Sequence, residues 1–376
     1  MNKKKVILPI TLAGCSSIIE YPSSARSVPE DAQVRNMSIA FNGEILRGSY
    51  LLIDSRSPAE KAGDAQRGHP SGLVIVFLHG HAQRPDDAFE FTSRLALLSS
   101  SGIVVIPVCD TPYGSDPSYH GDRGKDVILM EMVRHILAGE DMEVMGFEPI
   151  NGMKVLVDGV NTNTCKYAMG VRIAAVGWSH GGILARRFAH AHKASVQSLG
   201  HVCPAGYEHW DAWGITARFA GESMRMALRM VNGHSAQTLK SAWGFIRGLA
   251  GDFFRSIPAA VLSLQPAKLL RIFQDISDCS IYCDSTKFAA YHLEHISVLF
   301  GRDDSCMSPA RQLEIKDPDN ITKEDFQLFH TRFFSDVKTT ESLKLRIMPG
   351  THLAPVIYNE LYSKTVLADL KELKVI

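Results

Sequence analysis

The chain of 376 residues has no surplus of either charge: 40 Lys and Arg stand against 40 Asp and Glu. That balance leaves no basic excess for nucleic acid, and there is no acidic tail. Internal repeats are absent, and low-complexity sequence is confined to a Ser- and Pro-containing stretch near the N-terminus. Cys and His occur without a metal-binding rhythm. Cys279 and Cys283 lie four apart with no matching second pair, so neither a metal nor another cofactor is expected. The apolar run from Val6 to Leu12, interrupted by Pro9, is too short for a bilayer span of about 20 residues. What is present, 45% hydrophobic, 21% charged and 8% aromatic, describes an ordinary globular protein. At this length one large α/β domain with an insertion is expected in preference to two independent domains.

The first residues depart from that average. Met1-Asn2-Lys3-Lys4-Lys5 is a positive region before the short apolar run, which is the layout of a targeting segment. It ends in Leu12-Ala13-Gly14-Cys15, which resembles the lipobox of bacterial lipoprotein signal peptides. The resemblance implies a signal peptide over 1–14, a lipid anchor on Cys15 and a place in the bacterial cell envelope. Ser16-Ser17, with no Asp after the cysteine, is similar to the outer-membrane sorting pattern of that family. Residues 15–35 would then be a flexible tether. Six cysteines remain beyond it (Cys109, Cys165, Cys203, Cys279, Cys283 and Cys306), with no pairing legible in their spacing.

Taken in order, Met37–Phe41 and Ile45–Ile53 flank Asn42-Gly43, a strong hairpin signal. A polar loop is expected around Pro58, Gly63, Gly68 and Pro70. Leu73–Leu78 is a continuous apolar run, as a strand covered on both faces requires. It ends in His79-Gly80-His81. Helical spacing over 86–100, a strand at Ile103–Val108 and a helix near 122–137 follow, and 151–158 suits an arm of an inserted hairpin. Further strands are expected at Val196–Val202, Ile296–Phe300 and Leu343–Met348. Helices are expected from Pro309, over Lys323–Phe334 and over about Pro355–Leu373. These readings divide the core into 36–204 and 295–376. Between them, 205–294 lacks strand signals, reads as helical at Phe219–Val231, Leu239–Leu249 and Ala267–Ile276, and holds Trp210, Trp213, Trp243, Phe245, Phe253 and Phe254. Such side chains pack among themselves in a helical subdomain, or line a cap over a site; the sequence leaves both open.

The chain is organised around Arg172–Gly182. An apolar run breaks into Gly177-Trp178-Ser179-His180-Gly181 and continues into a helix-compatible segment. Strand, sharp turn, helix, with serine at the apex, is the layout that exposes a nucleophile, and the flanking glycines allow strand and helix to approach. Gly233-His234-Ser235 and Gly221-Glu222-Ser223 lack the closing glycine.

With these pieces the chain resembles the α/β-hydrolase superfamily over nearly all of its length beyond the tether. The order Ser179, Asp303 or Asp304, His352 is the one that fold uses, each just past a strand end. The resemblance implies a mostly parallel, doubly wound, eight-stranded sheet with a helical cap. It also implies Ser179 as nucleophile, His352 as base and an aspartate as its orienter. The family's Gly-x-x-Asp spacing from Gly301 favours Asp304, with Asp303 as the alternative. The family's proline after the aspartate stands at Pro309, one residue late. Backbone N–H groups of His81 and His180 would form the oxyanion hole. His79 reads as structural, and Asp211 as a less suitable acid. The implied activity is hydrolysis of carboxylic esters, on a small-molecule or lipid substrate, through an acyl-enzyme. Peptidase, amidase and thioesterase chemistry use the same parts, and a non-catalytic binding lipoprotein is the rival from another class.

Overall fold

The computed structural model describes residues 32–41, 44–80, 85–86, 88–108, 172–208, 281–315, 317–337 and 339–374. It also describes strand residues 154–157 and 160–161, and residues 129, 132, 133, 136, 214 and 218. Residues 1–31, with the signal peptide and most of the tether, lie outside the described residues, as do His81 and the helical readings at 219–231, 239–249 and 267–276; the expected tether ends in strand, at Arg35.

The strands are β1 (Arg35–Phe41), β2 (Glu44–Asp54), β3 (Val74–Leu78), β4 (Ile103–Val108), β5 (Lys154–Val157), β6 (Val160–Asn161), β7 (Ile173–Trp178), β8 (Val196–Val202), β9 (His295–Gly301) and β10 (Leu343–Met348). They form one sheet in the order β10-β9-β8-β7-β3-β4-β2-β1-β5-β6. From β10 to β4 every neighbouring pair is parallel. From β4 to β6 every pair is antiparallel. The β1–β2 hairpin closes with Phe41 opposite Glu44, leaving two residues between the strands. Eight strands are those the resemblance implies. β5 pairs along Met37–Ala40 of β1 and β6 along β5, which extends the sheet to ten among the described residues and covers an edge of β1 that would otherwise offer unpaired backbone groups.

The parallel strands β3 and β4 read as unbroken apolar runs because both faces are covered. Successive side chains alternate: Val74, Val76 and Leu78 enter one core, Ile75 and Phe77 the other. Among the described residues the helices are α1 (Pro58–Arg67), α2 (Phe89–Leu98), α3 (His180–Ala191), α4 (Pro309–Gln312), α5 (Lys323–Phe333), α6 (Ala354–Ile357) and α7 (Asn359–Asp369). Phe188 of α3 and Phe329 of α5 fill the first core, Phe91 of α2 and Tyr362 of α7 the second. Leu129, Met132, Val133 and Ile136, spaced as one helical face, are helical and buried in the first core.

One expectation is corrected. The stretch around Pro58 and Gly63 is a helix, not a loop. Ser57 accepts a hydrogen bond from the Glu60 N–H while the Glu60 carboxylate accepts from the Ser57 N–H, and Pro58 opens the first turn. Gly68, in the left-handed conformation at φ 76°, ends it. Serine, proline and glycine there are cap residues rather than turn residues.

His201 on β8 is buried, its Nδ1 hydrogen-bonded to the Tyr207 hydroxyl. Desolvation first, and the neighbouring Arg186 cation second, push its pKa down to about 3. An unfolded histidine titrates near 6.5, so below that pH the unfolded chain binds a proton that the folded chain refuses. Stability contributed by the neutral ring is therefore present above about pH 6.5 and is lost progressively as pH falls toward 3, at up to about 1.4 kcal/mol per pH unit. Urea unfolding at pH 7 and pH 5 should show a smaller acid loss in His201→Gln than in the wild type. Equal pH slopes would contradict this assignment.

Candidate active site

Strand β7 stops at Trp178, and Ser179 turns the chain with φ 58° and ψ −124° before α3 begins. A non-glycine residue in such a region costs on the order of 1–3 kcal/mol, so the surroundings must hold it. They do so through its backbone. The Ser179 N–H donates to the Val202 carbonyl (3.2 Å), and its carbonyl accepts from the N–H groups of Gly182 and Ala205 (2.9 Å each). The glycines are required by space. A β-carbon on Gly177 would run into the backbone of Gly181, and one on Gly181 into the Leu78 carbonyl. Strand β7, helix α3 and the end of β3 thus meet backbone to backbone around the serine.

The loops after β9 and β10 are zipped together. The Arg302 N–H donates to the Met348 carbonyl (2.7 Å) and the Asp303 N–H to the Gly350 carbonyl (2.9 Å). Gly301 leaves the space this needs, since a β-carbon would lie 2.8 Å from the carbonyl oxygens of both Gly350 and Thr351. This turn sends Asp303 outward to solvent and Asp304 inward, where it is 2% exposed. Asp304 Oδ2 lies 2.8 Å from His352 Nδ1, and Oδ1 accepts from the Met307 N–H at 2.7 Å. His352 Nε2 is 2.9 Å from Ser179 Oγ. The Trp178 indole N–H donates to the His352 carbonyl (3.1 Å), joining the His352 loop to the residue before the serine.

This geometry has a direct chemical consequence. A carboxylate at Nδ1 holds the proton there, which leaves the Nε2 lone pair facing the Ser179 hydroxyl as acceptor. The arrangement can therefore take a proton from Ser179 and return it to a leaving group. All three side chains are buried, so charge developing in the relay is poorly screened by water.

The other residues singled out by the sequence are distributed as follows. The His180 N–H belongs to the first turn of α3, whose donors point out of the helix end rather than back along it. His81, the second proposed donor, lies outside the described residues, as do Asp211 and Cys15. His79 is buried, with Nδ1 2.8 Å from the Gly80 carbonyl, the local backbone contact of a structural histidine. Cys203, Cys283 and Cys306 are buried and form no disulfide with one another, and Cys109, Cys165 and Cys279 lie outside the described residues. Among the described residues no group of three or more His, Cys, Asp or Glu could hold a metal ion. Sequence reasoning missed Met307 and Gln312. Met307 acts through its backbone, which carries no residue signal. Gln312 donates to the Pro204 carbonyl (2.9 Å) and so braces the loop that reaches Ser179 through Ala205.

No protein-family model matches the chain, and no curated protein matches it. Solved structures do match. A membrane phospholipase A described as a bacterial virulence factor is 16% identical over 90% of this chain and 86% of its own, with a TM-score of 0.50. A meta-cleavage product hydrolase from Pseudomonas fluorescens is 14% identical over 89% and 97%, with a TM-score of 0.49. A thermophilic esterase from Thermogutta terrifontis is 13% identical over 90% and 98%, with a TM-score of 0.45. At such identities the likeness concerns fold alone. Together with the strand order it establishes the α/β-hydrolase fold for this chain.

The two aspartates are separable by experiment. Asp304→Asn should slow organophosphonate modification of Ser179 by about 10³–10⁴-fold at neutral pH, because the imidazole loses its tautomer control. Asp303→Asn should stay within about threefold of the wild type, its carboxylate being in solvent. A larger effect at Asp303 than at Asp304 would reverse the assignment.

Proposed function

We propose that this protein is a serine hydrolase of carboxylic esters, tethered to the bacterial cell envelope through a lipid on Cys15. The observation that carries the catalytic half is the hydrogen-bonded series Ser179 Oγ, His352 Nε2 and Nδ1, Asp304 Oδ2, at 2.9 and 2.8 Å.

In this reading Ser179 Oγ attacks the ester carbonyl carbon as its proton moves to His352 Nε2. Asp304 stabilises the imidazolium that results. The negative charge on the former carbonyl oxygen is met by the His180 N–H and by that of His81. Collapse expels the alcohol, which takes the proton from Nε2 and leaves an acyl group on Ser179. Water, deprotonated by the same nitrogen, then releases the carboxylic acid and regenerates the serine. No cofactor enters these steps.

Two features favour hydrophobic or lipid esters as substrates. One is the lipoprotein-type N-terminus, which would hold the enzyme beside a bilayer. The other is the aromatic-rich sequence of 205–294. A structural neighbour described as a membrane phospholipase A is compatible with that choice. For the envelope, the absence of Asp after Cys15 favours the outer membrane.

The test is hydrolysis of a p-nitrophenyl ester series by the purified full-length protein in detergent. The wild type should turn over, and Ser179→Ala and His352→Ala should each lose on the order of 10³-fold or more in kcat. A folded wild type inert toward every ester in the series would overturn the proposal.

A further inference from the structure

Five successive carbonyls lead from the end of β10 to His352, and each has a donor. Met348 accepts from the Arg302 N–H (2.7 Å), Gly350 from the Asp303 N–H (2.9 Å) and Thr351 from the Ala354 N–H (2.9 Å). The other two donors are side chains. The Tyr362 hydroxyl donates to the Pro349 carbonyl (3.2 Å), and the Trp178 indole N–H to the His352 carbonyl (3.1 Å).

These donors come from different parts of the fold. Arg302 and Asp303 belong to the loop that carries Asp304, so their bonds set His352 relative to Asp304. Tyr362 lies on α7. Trp178 ends β7 immediately before Ser179, so its bond sets His352 relative to Ser179. Of these five bonds it is the one that starts from the strand leading into the serine.

Trp178 does more than fill space. It is fully buried, and a residue chosen for packing alone would carry no polar hydrogen in need of an acceptor. Its ring centroid also lies 6.3 Å from that of the His352 imidazole, at an interplanar angle of 38°, so it borders the ring as well as holding its backbone. The consequence is chemical. Proton transfer from Ser179 Oγ to His352 Nε2 uses their 2.9 Å contact, and a misplacement of ~1 Å can cost about 10²-fold in rate.

We propose that Trp178 is a positioning residue for the transfer of the Ser179 proton. It acts through the His352 carbonyl and sets the distance between Nε2 and Oγ, while the bonds of Arg302 and Asp303 set the Asp304–His352 pair. Its part in turnover rests on the ester-hydrolase reading above; its effect on the reactivity of Ser179 toward an organophosphonate needs no ester.

The experiment compares Trp178→Phe with Tyr362→Phe in the full-length protein, each checked for cooperative unfolding. Both remove one buried donor to the same loop and keep an aromatic ring, so both should lower Tm. Organophosphonate modification of Ser179 should slow by about tenfold or more in Trp178→Phe and stay within about threefold of the wild type in Tyr362→Phe. For a p-nitrophenyl ester the Trp178→Phe loss should fall on kcat with KM unchanged. The acid midpoint of its kcat/KM profile should stay where the wild type has it, because Asp304 still faces Nδ1. Unchanged modification in Trp178→Phe would overturn the role. So would equal slowing in both variants, which a general loosening of the loop gives, or a moved midpoint, which places the effect on the Asp304 side. Should Trp178→Phe fail to fold, benzothienylalanine in place of Trp178, which keeps the bicyclic shape and replaces the N–H by sulfur, decides by the same criteria. A wild type modified at Ser179 that hydrolyses no ester overturns the ester reading alone, and the modification rates still decide the role of Trp178. A folded wild type that resists both reagents overturns both.

Discussion

The structure depends on one tight place, where β7 becomes α3 through a serine at φ 58°. A side chain at Gly177 or Gly181 would overlap backbone, so β3, β7 and α3 can meet there only as main chain. The conformation at Ser179 is held by hydrogen bonds to Val202, Gly182 and Ala205, three points from two other segments. Strain of on the order of 1–3 kcal/mol is sustained because the surrounding sheet is fully buried and cannot relax locally.

From that turn the rest of the site follows by parallel neighbours. β8 delivers Ala205 to the Ser179 carbonyl, β9 delivers Asp304, and β10 delivers His352. Each comes from the loop beyond its strand's C-terminal end, where a parallel sheet gathers the ends of several strands on one side. The main-chain bonds between the β9 and β10 loops set the aspartate and histidine relative to each other before either meets the serine. The Trp178 indole then donates to the His352 carbonyl from the residue before Ser179, so His352 and Ser179 share a support.

Much of this was legible in the residues. β3 and β4, buried on both faces, are legible as apolar runs, and β8, β9 and β10, whose sequences include polar residues, also fall within two residues of the strands expected from the sequence. The strand-turn-helix around Ser179 was legible because crowding admits so few residue types. What escaped was of another kind. Helix α1 resembles a loop in sequence because its capping residues are also turn residues, and only the reciprocal Ser57–Glu60 pattern tells them apart. Only the family spacing from Gly301 favours Asp304 over Asp303, because adjacent carboxylates are chemically equal; bonds from their loop to Met348 and Gly350 decide which one turns inward. Arg186, His190 and Asp336 gave no signal, since their partners are backbone groups far away in sequence. Long-range contacts to main chain leave no residue pattern to read.

The proposed mechanism turns on covalent acylation of Ser179, which trapping the intermediate would reveal. Turnover of a p-nitrophenyl ester would be quenched in acid within milliseconds and the digested protein weighed peptide by peptide. The account predicts an acyl mass increment on the peptide containing Ser179 and on no other. Ester turnover without an increment there, or with the acyl group on a different residue, would contradict it.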